Sequence, residues 1–170
     1  IIVALLTALV PFIVLVFEIP LLAKEYGLPF REISKYLIFW ITGFSLFAFL
    51  LNLTREIVKD AQDFEGDQAY GKSTIPVAWG TKAARYISVI ILISTIALLL
   101  IAWTGFIRDT VTIIYFCLMI VIPLLFVIFR LLTDDSEAGY RIVNIVLKIV
   151  MITGLGYAVA ANLILNNMMR

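Results

Sequence analysis

YISVIILISTIALLLIAWTGFIRDTVTIIYFCLMIVIPLLFVIF, residues 86–129, holds two charged side chains, the neighbours Arg108 and Asp109. A bilayer core about 30 Å thick takes about 20 helical residues at about 1.5 Å each, so each uncharged half of this stretch is long enough to cross one. The pattern predicts two membrane-spanning helices, 86–107 and 110–129, joined by a very tight turn. Working outward, the same criterion finds three more runs: 1–17, extendable to 23; 36–54; and 142–169, interrupted only by Lys148. Lipid offers no hydrogen bonds to an open strand edge, so all five runs are expected as α-helices. The predicted fold is an all-α polytopic membrane bundle, a single transmembrane domain over residues 1–170. Pro11 and Pro123 are expected to kink their helices, and Gly154 and Ala158, four apart, to admit a close neighbour.

Composition points the same way. The chain is 63% apolar and 15% charged, with a mean hydropathy of +1.08, against about 45–50% and 25% in average globular chains. One small core cannot hide that much apolar surface, so lipid must solvate the rest. A net charge of +1 gives no electrostatic case for a nucleic-acid partner. The chain has no histidine, which excludes Ser-His and Cys-His catalysis, histidine-ligated haem and the common zinc sites. Its one cysteine, Cys117, can form no internal disulfide. The chain opens at Ile1, inside an apolar run and without a signal-peptide pattern, so it is expected to be a piece of a longer protein.

The charges gather between the apolar runs. Loops are expected at 24–35 and at 130–141, the latter with Asp134, Asp135 and Glu137, while residues 55–85 hold ten of the 25 charged side chains. Counting spans puts 55–85 and 130–141 on one membrane face with seven Lys and Arg, against five opposite if Arg170 is included. The positive-inside rule then makes the 55–85 segment cytoplasmic.

That segment carries the candidate chemistry. If the second helix runs on past the membrane edge, with neither Gly nor Pro before Gly66, then Asn52, Glu56, Asp60, Asp63 and Asp67 recur at spacings of four, four, three and four along one face. Carboxylates about 6 Å apart repel by about 3 kcal/mol at an effective dielectric near 20, so such a row calls for cations. Hard oxygens with open positions suit Mg²⁺, which takes one or two carboxylates and completes its shell with water and phosphate oxygens. The alternative is a solvated helix end in which Arg55, Glu56, Lys59 and Asp60 pair in water. An EF-hand is excluded, because registering Gly66 as the loop glycine puts Ala61 first and Lys72 last. Residues 66–73 match the P-loop spacing, but an acidic helix precedes them and Pro76 follows, so that match is rejected. The turn Gly71-Lys72-Ser73-Thr74 nonetheless offers a cation near the acids, either to neutralise a diphosphate or simply facing solvent.

The string Arg55-Glu56-Ile57-Val58-Lys59-Asp60-x-x-Asp63-x-Glu65-Gly66-Asp67, followed by Gly71-Lys72-Ser73-Thr74-Ile75-Pro76, resembles the second aspartate-rich motif of the UbiA-type intramembrane prenyltransferases, most closely the branch making archaeal-type ether lipids. The resemblance implies that the five helices are the last five of nine and that a first motif of N-D-x-x-D-x-x-x-D type lies in a missing N-terminal half, without which the fragment is inactive. It implies Mg²⁺ held by two facing motifs, with Asp63 and Asp67 as catalytic ligands and Asp60 in support. The donor would be a polyprenyl diphosphate such as geranylgeranyl diphosphate, and the acceptor geranylgeranylglyceryl phosphate, with a quinone precursor or haem as alternatives. Candidate substrate contacts are Asn52, Arg55, Glu56, Lys59 and Lys72. Arg141 and Lys148, with Asn144 between them, form a second polar face or else snorkel to the interface. Rival readings are an ion-coupled transporter fragment and a structural membrane subunit.

Overall fold

The computed structural model describes residues 2–26 and 30–168, with the side chains of 22–23, 26, 30–37, 106 and 158–168 outside the description. Every regular element among these residues is helical: α1 Ile2–Tyr26, α2 Phe30–Gln62, α3 Phe64–Ala69, α4 Ile75–Trp79, α5 Thr81–Ala102, α6 Thr110–Phe116, α7 Ile122–Thr133 and α8 Glu137–Met168. Five stretches are long and apolar enough to cross a membrane: Ile2–Leu21, Ile38–Gln62, Thr81–Gly105, Thr110–Thr133 and Glu137–Tyr157. The polar connections are shorter than their composition suggested. Helix already covers residues 24–26 and 30–35, and only residues 134–136 separate α7 from α8. Charged residues at a membrane edge can stay helical because a helix satisfies its own backbone whether lipid or water surrounds it.

The chain divides into two compact units, 1–53 and 54–170. In the first, α1 stays helical across Pro11 and Pro20 and, among its described side chains, buries only Ala4, Leu15 and Ile19. Most of its other described side chains are exposed alkyl groups, as expected of a helix solvated by lipid. In α2, Trp40 meets Phe39 edge-on and Phe44 in a stacked contact, with ring centroids 6.0 and 6.2 Å apart.

The second unit is built around α5, α7 and α8. From Tyr140 onward the buried positions among the described side chains of α8 are Tyr140, Val143, Leu147, Val150, Gly154 and Tyr157, alternating three and four residues apart. On the facing segment they are Ile120, Leu124, Val127 and Leu131. Buried positions recurring about seven residues apart on both segments are the spacing expected of helices packed along a shared seam. Ile142, Ile145, Ile149, Ile152 and Leu155 point outward and are exposed. In lipid both faces are apolar, so close packing and interhelical hydrogen bonds, not hydrophobicity, decide which face turns inward.

Those bonds cluster where α6 meets α8. Thr112 Oγ1 lies 2.8 Å from the Tyr157 hydroxyl, and Tyr115 Oη donates to the Thr153 carbonyl at 2.7 Å. Pro123 follows a π-helical turn, Cys117–Val121, and has no N–H to give the carbonyl of Met119. Thr153 Oγ1 reaches that same carbonyl at 3.2 Å. Of the expected small-residue pair, Gly154 is buried in the seam, while the Ala158 side chain is outside the description. At Gly156, farther along α8, an added Cβ would sit 3.2 Å from the Tyr115 hydroxyl. Gly156→Leu is therefore expected to push Tyr115 off the Thr153 carbonyl and cost about 1–3 kcal/mol, read as a lowered unfolding midpoint in detergent.

The tight turn after α5 forms as expected. Arg108 adopts a left-handed conformation (φ 53°), and Asp109 caps α6 by accepting the Thr112 N–H at 2.7 Å. At the other end of the bundle, Arg85 at the start of α5 lies 3.7 Å from Asp135 in the α7–α8 connection. The two charged connections therefore meet at one end, as counting spans required.

Candidate functional site

Helix α2 ends at Gln62, and Asp63 joins it to α3. Asp63 N–H still reaches the Lys59 carbonyl at 3.0 Å, and Asp67 N–H reaches that of Asp63 at 2.9 Å. The backbone opens at Asp63 (φ −91°, ψ 14°) and separates α2 from α3, which runs on through Gly66. This joint divides the predicted single face into different environments: Asp60 is half-buried, Asp63 exposed and Asp67 buried. Among the described residues, no three carboxylates converge closely enough to hold a metal between them.

Asp67 is the acid the fold invests in. Its side chain is 8% exposed, and Lys72 Nζ donates to its Oδ1 at 2.8 Å. The pairing follows from the way α3 ends. Gly71 N–H bonds to the Gln68 carbonyl at 3.2 Å and Lys72 N–H to the Asp67 carbonyl at 2.9 Å, with Gly71 left-handed at φ 67°. These are the two bonds of a Schellman cap, which brings the second residue past the cap, here Lys72, against the third-last residue of the helix, here Asp67. An apolar contact usually fills that place; an ion pair fills it here. The hydrogen bond to Asp67 and that carboxylate's charge raise the Lys72 pKa above its ordinary value, and Asp63 and Asp60 act in the same direction.

The remaining candidates are distributed less evenly. Arg55 Nη2 pairs with Glu56 at 2.9 Å, so these neighbours spend charge on each other, and Lys59 is exposed. Asn52, in the first unit, is buried, and its Nδ2 has no partner among the described residues. On α8, Arg141 pairs with Glu137 at 3.0 Å on an open surface, and Lys148 is exposed. Only Asn144 of that polar face reaches the acid segment: its Nδ2 donates to Gln62 Oε1 at 3.3 Å, and its own Oδ1 is buried with no partner among the described residues. The 134–136 turn stands on Asp134, which accepts the Ser136 N–H at 2.9 Å and pairs with Arg130 at 2.6 Å. Hydrogen bonds from the Ser136 hydroxyl and N–H hold its carboxyl below the usual carboxylate value.

Taken over residues 1–152, the sequence matches the model of the UbiA prenyltransferase family. The chain belongs to that family. Among curated proteins, this UbiA chain is similar to the digeranylgeranylglyceryl phosphate synthases of three archaea. It is 47% identical to that of Thermococcus onnurineus over 49 residues, 29% of this chain and 18% of the relative. It is 37% identical to that of Methanosphaera stadtmanae over 101 residues, 58% and 35% of the two chains. It is 47% identical to that of Methanopyrus kandleri over 49 residues, 29% and 18%. The matches thus span about a fifth to a third of the relatives' own lengths. No solved structure matches.

Within this UbiA chain the fold singles out Asp67 and Lys72 and leaves Arg141 and Lys148 at the surface. Gln62 was not expected to take part. Its position between Asp60 and Asp63 was the available signal, but nothing in the spacing pairs it with Asn144, 82 residues away.

Proposed function

We propose that the chain forms the C-terminal half of a nine-helix, Mg²⁺-dependent prenyltransferase that moves a polyprenyl group from its diphosphate to the free hydroxyl of geranylgeranylglyceryl phosphate in ether-lipid synthesis. The observation that carries this reading is the buried Asp67 carboxylate with a cation held against it at the edge of a membrane-spanning bundle. Family membership and the names of the relatives support it.

The donor set fits Mg²⁺. It is made of hard carboxylate oxygens, it already draws one cation, and Mg²⁺ asks for one or two protein carboxylates rather than a closed cage. Asp67 would be the principal ligand, Asp63 the second and Asp60 a supporting charge, with a first acidic motif in the preceding helices completing the site from across the cleft. Bound Mg²⁺ supplies charge stabilisation for the departing diphosphate. The chain's own residues do the remainder. Lys72 donates to diphosphate oxygens, and Lys59 with the spare donors of Arg55 faces the acceptor's phosphate. Gln62 and Asn144 hold the acid segment against α8. The apolar helices exclude water, so the allylic cation left by ionisation meets the acceptor hydroxyl before it meets solvent. The acidic segment faces the cytoplasm, where both substrates are charged and soluble at their head groups.

The reading is tested with the whole protein in lipid nanodiscs, radiolabelled geranylgeranyl diphosphate and Mg²⁺. Label is expected to pass to geranylgeranylglyceryl phosphate and to stop on chelation. Transfer to a hydroxybenzoate ring instead would move the chain to the quinone-precursor branch, and saturable cation flux without transfer would make it a transporter.

A further inference from the structure

We infer that Lys72 is a built-in counter-ion that keeps the divalent-cation position on Asp67 filled until a diphosphate arrives, so that metal and diphosphate enter together. The inference rests on the function proposed above and adds an order to it. A carboxylate 8% exposed needs a compensating charge at all times, because an unpaired buried charge costs several kcal/mol. Among the described residues, Lys72 is the only ion-pair partner of Asp67.

The cap geometry makes that partner persistent. The two residues are joined by a five-residue tether closed by the Lys72 N–H to Asp67 carbonyl bond, so the ammonium is present at an effective concentration of millimolar or more. A divalent cation arriving alone must displace it. The displaced ammonium then gives up its hydrogen bond to Asp67, leaving only the weaker pull of Asp63 and Asp60, and it adds like-charge repulsion beside the metal. When a diphosphate arrives with the metal, its oxygens offer Lys72 a new acceptor. The side chain is 62% exposed, so it swings across without unpacking anything. Asp67 stays compensated at each stage: the ammonium leaves as the divalent ion takes its place, and the diphosphate brought with the metal takes up the added positive charge. By linkage, what diphosphate does for metal affinity, metal does equally for diphosphate affinity.

The test is a Mn²⁺ titration of the whole protein, followed by electron paramagnetic resonance, with and without a slowly reacting geranylgeranyl thiodiphosphate. In the wild-type protein the analogue is expected to tighten Mn²⁺ binding strongly. In Lys72→Met, Mn²⁺ alone is expected to bind about 5- to 10-fold tighter, and the enhancement by the analogue to shrink about tenfold. Lys72→Arg, which keeps a tethered cation, is expected to restore most of the enhancement. Adding Lys72→Met to Asp67→Asn should change Mn²⁺ affinity less than twofold. An enhancement in Lys72→Met equal to the wild type, with metal binding intact, overturns this inference and leaves the proposed function standing. Failure of the wild-type protein to bind Mn²⁺ even with the analogue removes both.

Discussion

Replacing Asp67 by asparagine in the whole protein is expected to lower prenyl transfer about 100- to 1,000-fold while leaving the bundle folded. The size follows from the role: removing one preorganised electrostatic group from a water-poor site typically costs about 3–4 kcal/mol of transition-state stabilisation. Folding survives because asparagine has the same shape and still accepts a hydrogen bond from Lys72. That lysine is largely exposed and rehydrates without difficulty. The measurement is the initial rate at saturating donor, beside a thermal unfolding curve in the same detergent. Transfer within twofold of wild type, with an unchanged curve, would remove Asp67 from the mechanism. Asp63→Asn is the companion: its carboxylate is exposed at the α2–α3 joint, so its loss should act on rate and hardly on unfolding.

Gly71→Val is expected to have the second largest effect, by a different route. Gly71 sits at φ 67°, where a β-branched residue is strained by about 1–3 kcal/mol, although nothing lies within 4 Å of a Cβ built there. The penalty is therefore purely conformational, and relieving it unwinds the Schellman cap. Once the Lys72 N–H to Asp67 carbonyl bond opens, the ammonium is no longer registered against the carboxylate. Donor affinity should fall about tenfold or more, equivalent to about 1.4 kcal/mol, with a smaller change in the rate at saturation. Gly71→Asn tolerates the left-handed region better and should recover most of the loss. A Gly71→Val protein with wild-type donor affinity would show that the cap does not position Lys72.

The all-helical membrane fold was legible because it depends on little more than run length and charge spacing. The runs at 86–107 and 110–129, with Arg108 and Asp109 between them, left no other reading, and the structure turns at those two residues. Helix ends were harder. At 24–26 and 30–35, and again beside 134–136, charged residues that read as loop are helical, because charge marks the membrane edge and not the end of a helix. The acidic segment was legible in composition and register but not in burial. Spacings of three and four put Asp60, Asp63 and Asp67 on one face of an ideal helix. The backbone departs from helical dihedrals at Asp63, and the three acids have three different exposures. The Lys72 to Asp67 pair had a signal: a glycine followed by lysine five residues after an aspartate. Reading it required treating Gly71 as the cap of a helix, not as a flexible turn. The Thr153 contact to Met119 and the Gln62 contact to Asn144 had none, since each joins residues far apart in sequence.

Helix α8 has two sides under different rules. Toward its helical neighbours, every third or fourth residue from Tyr140 to Tyr157 is buried and must fit what it packs against. Toward the lipid, the row from Ile142 to Leu155 answers only to a requirement for oiliness. Over evolutionary time the outer row can drift freely among alkyl side chains, and so can adapt the enzyme to membranes of differing thickness or fluidity. The inner row cannot follow. A cell that changes its bilayer can therefore retune this protein's fit to it without disturbing the end of the bundle where the acids lie.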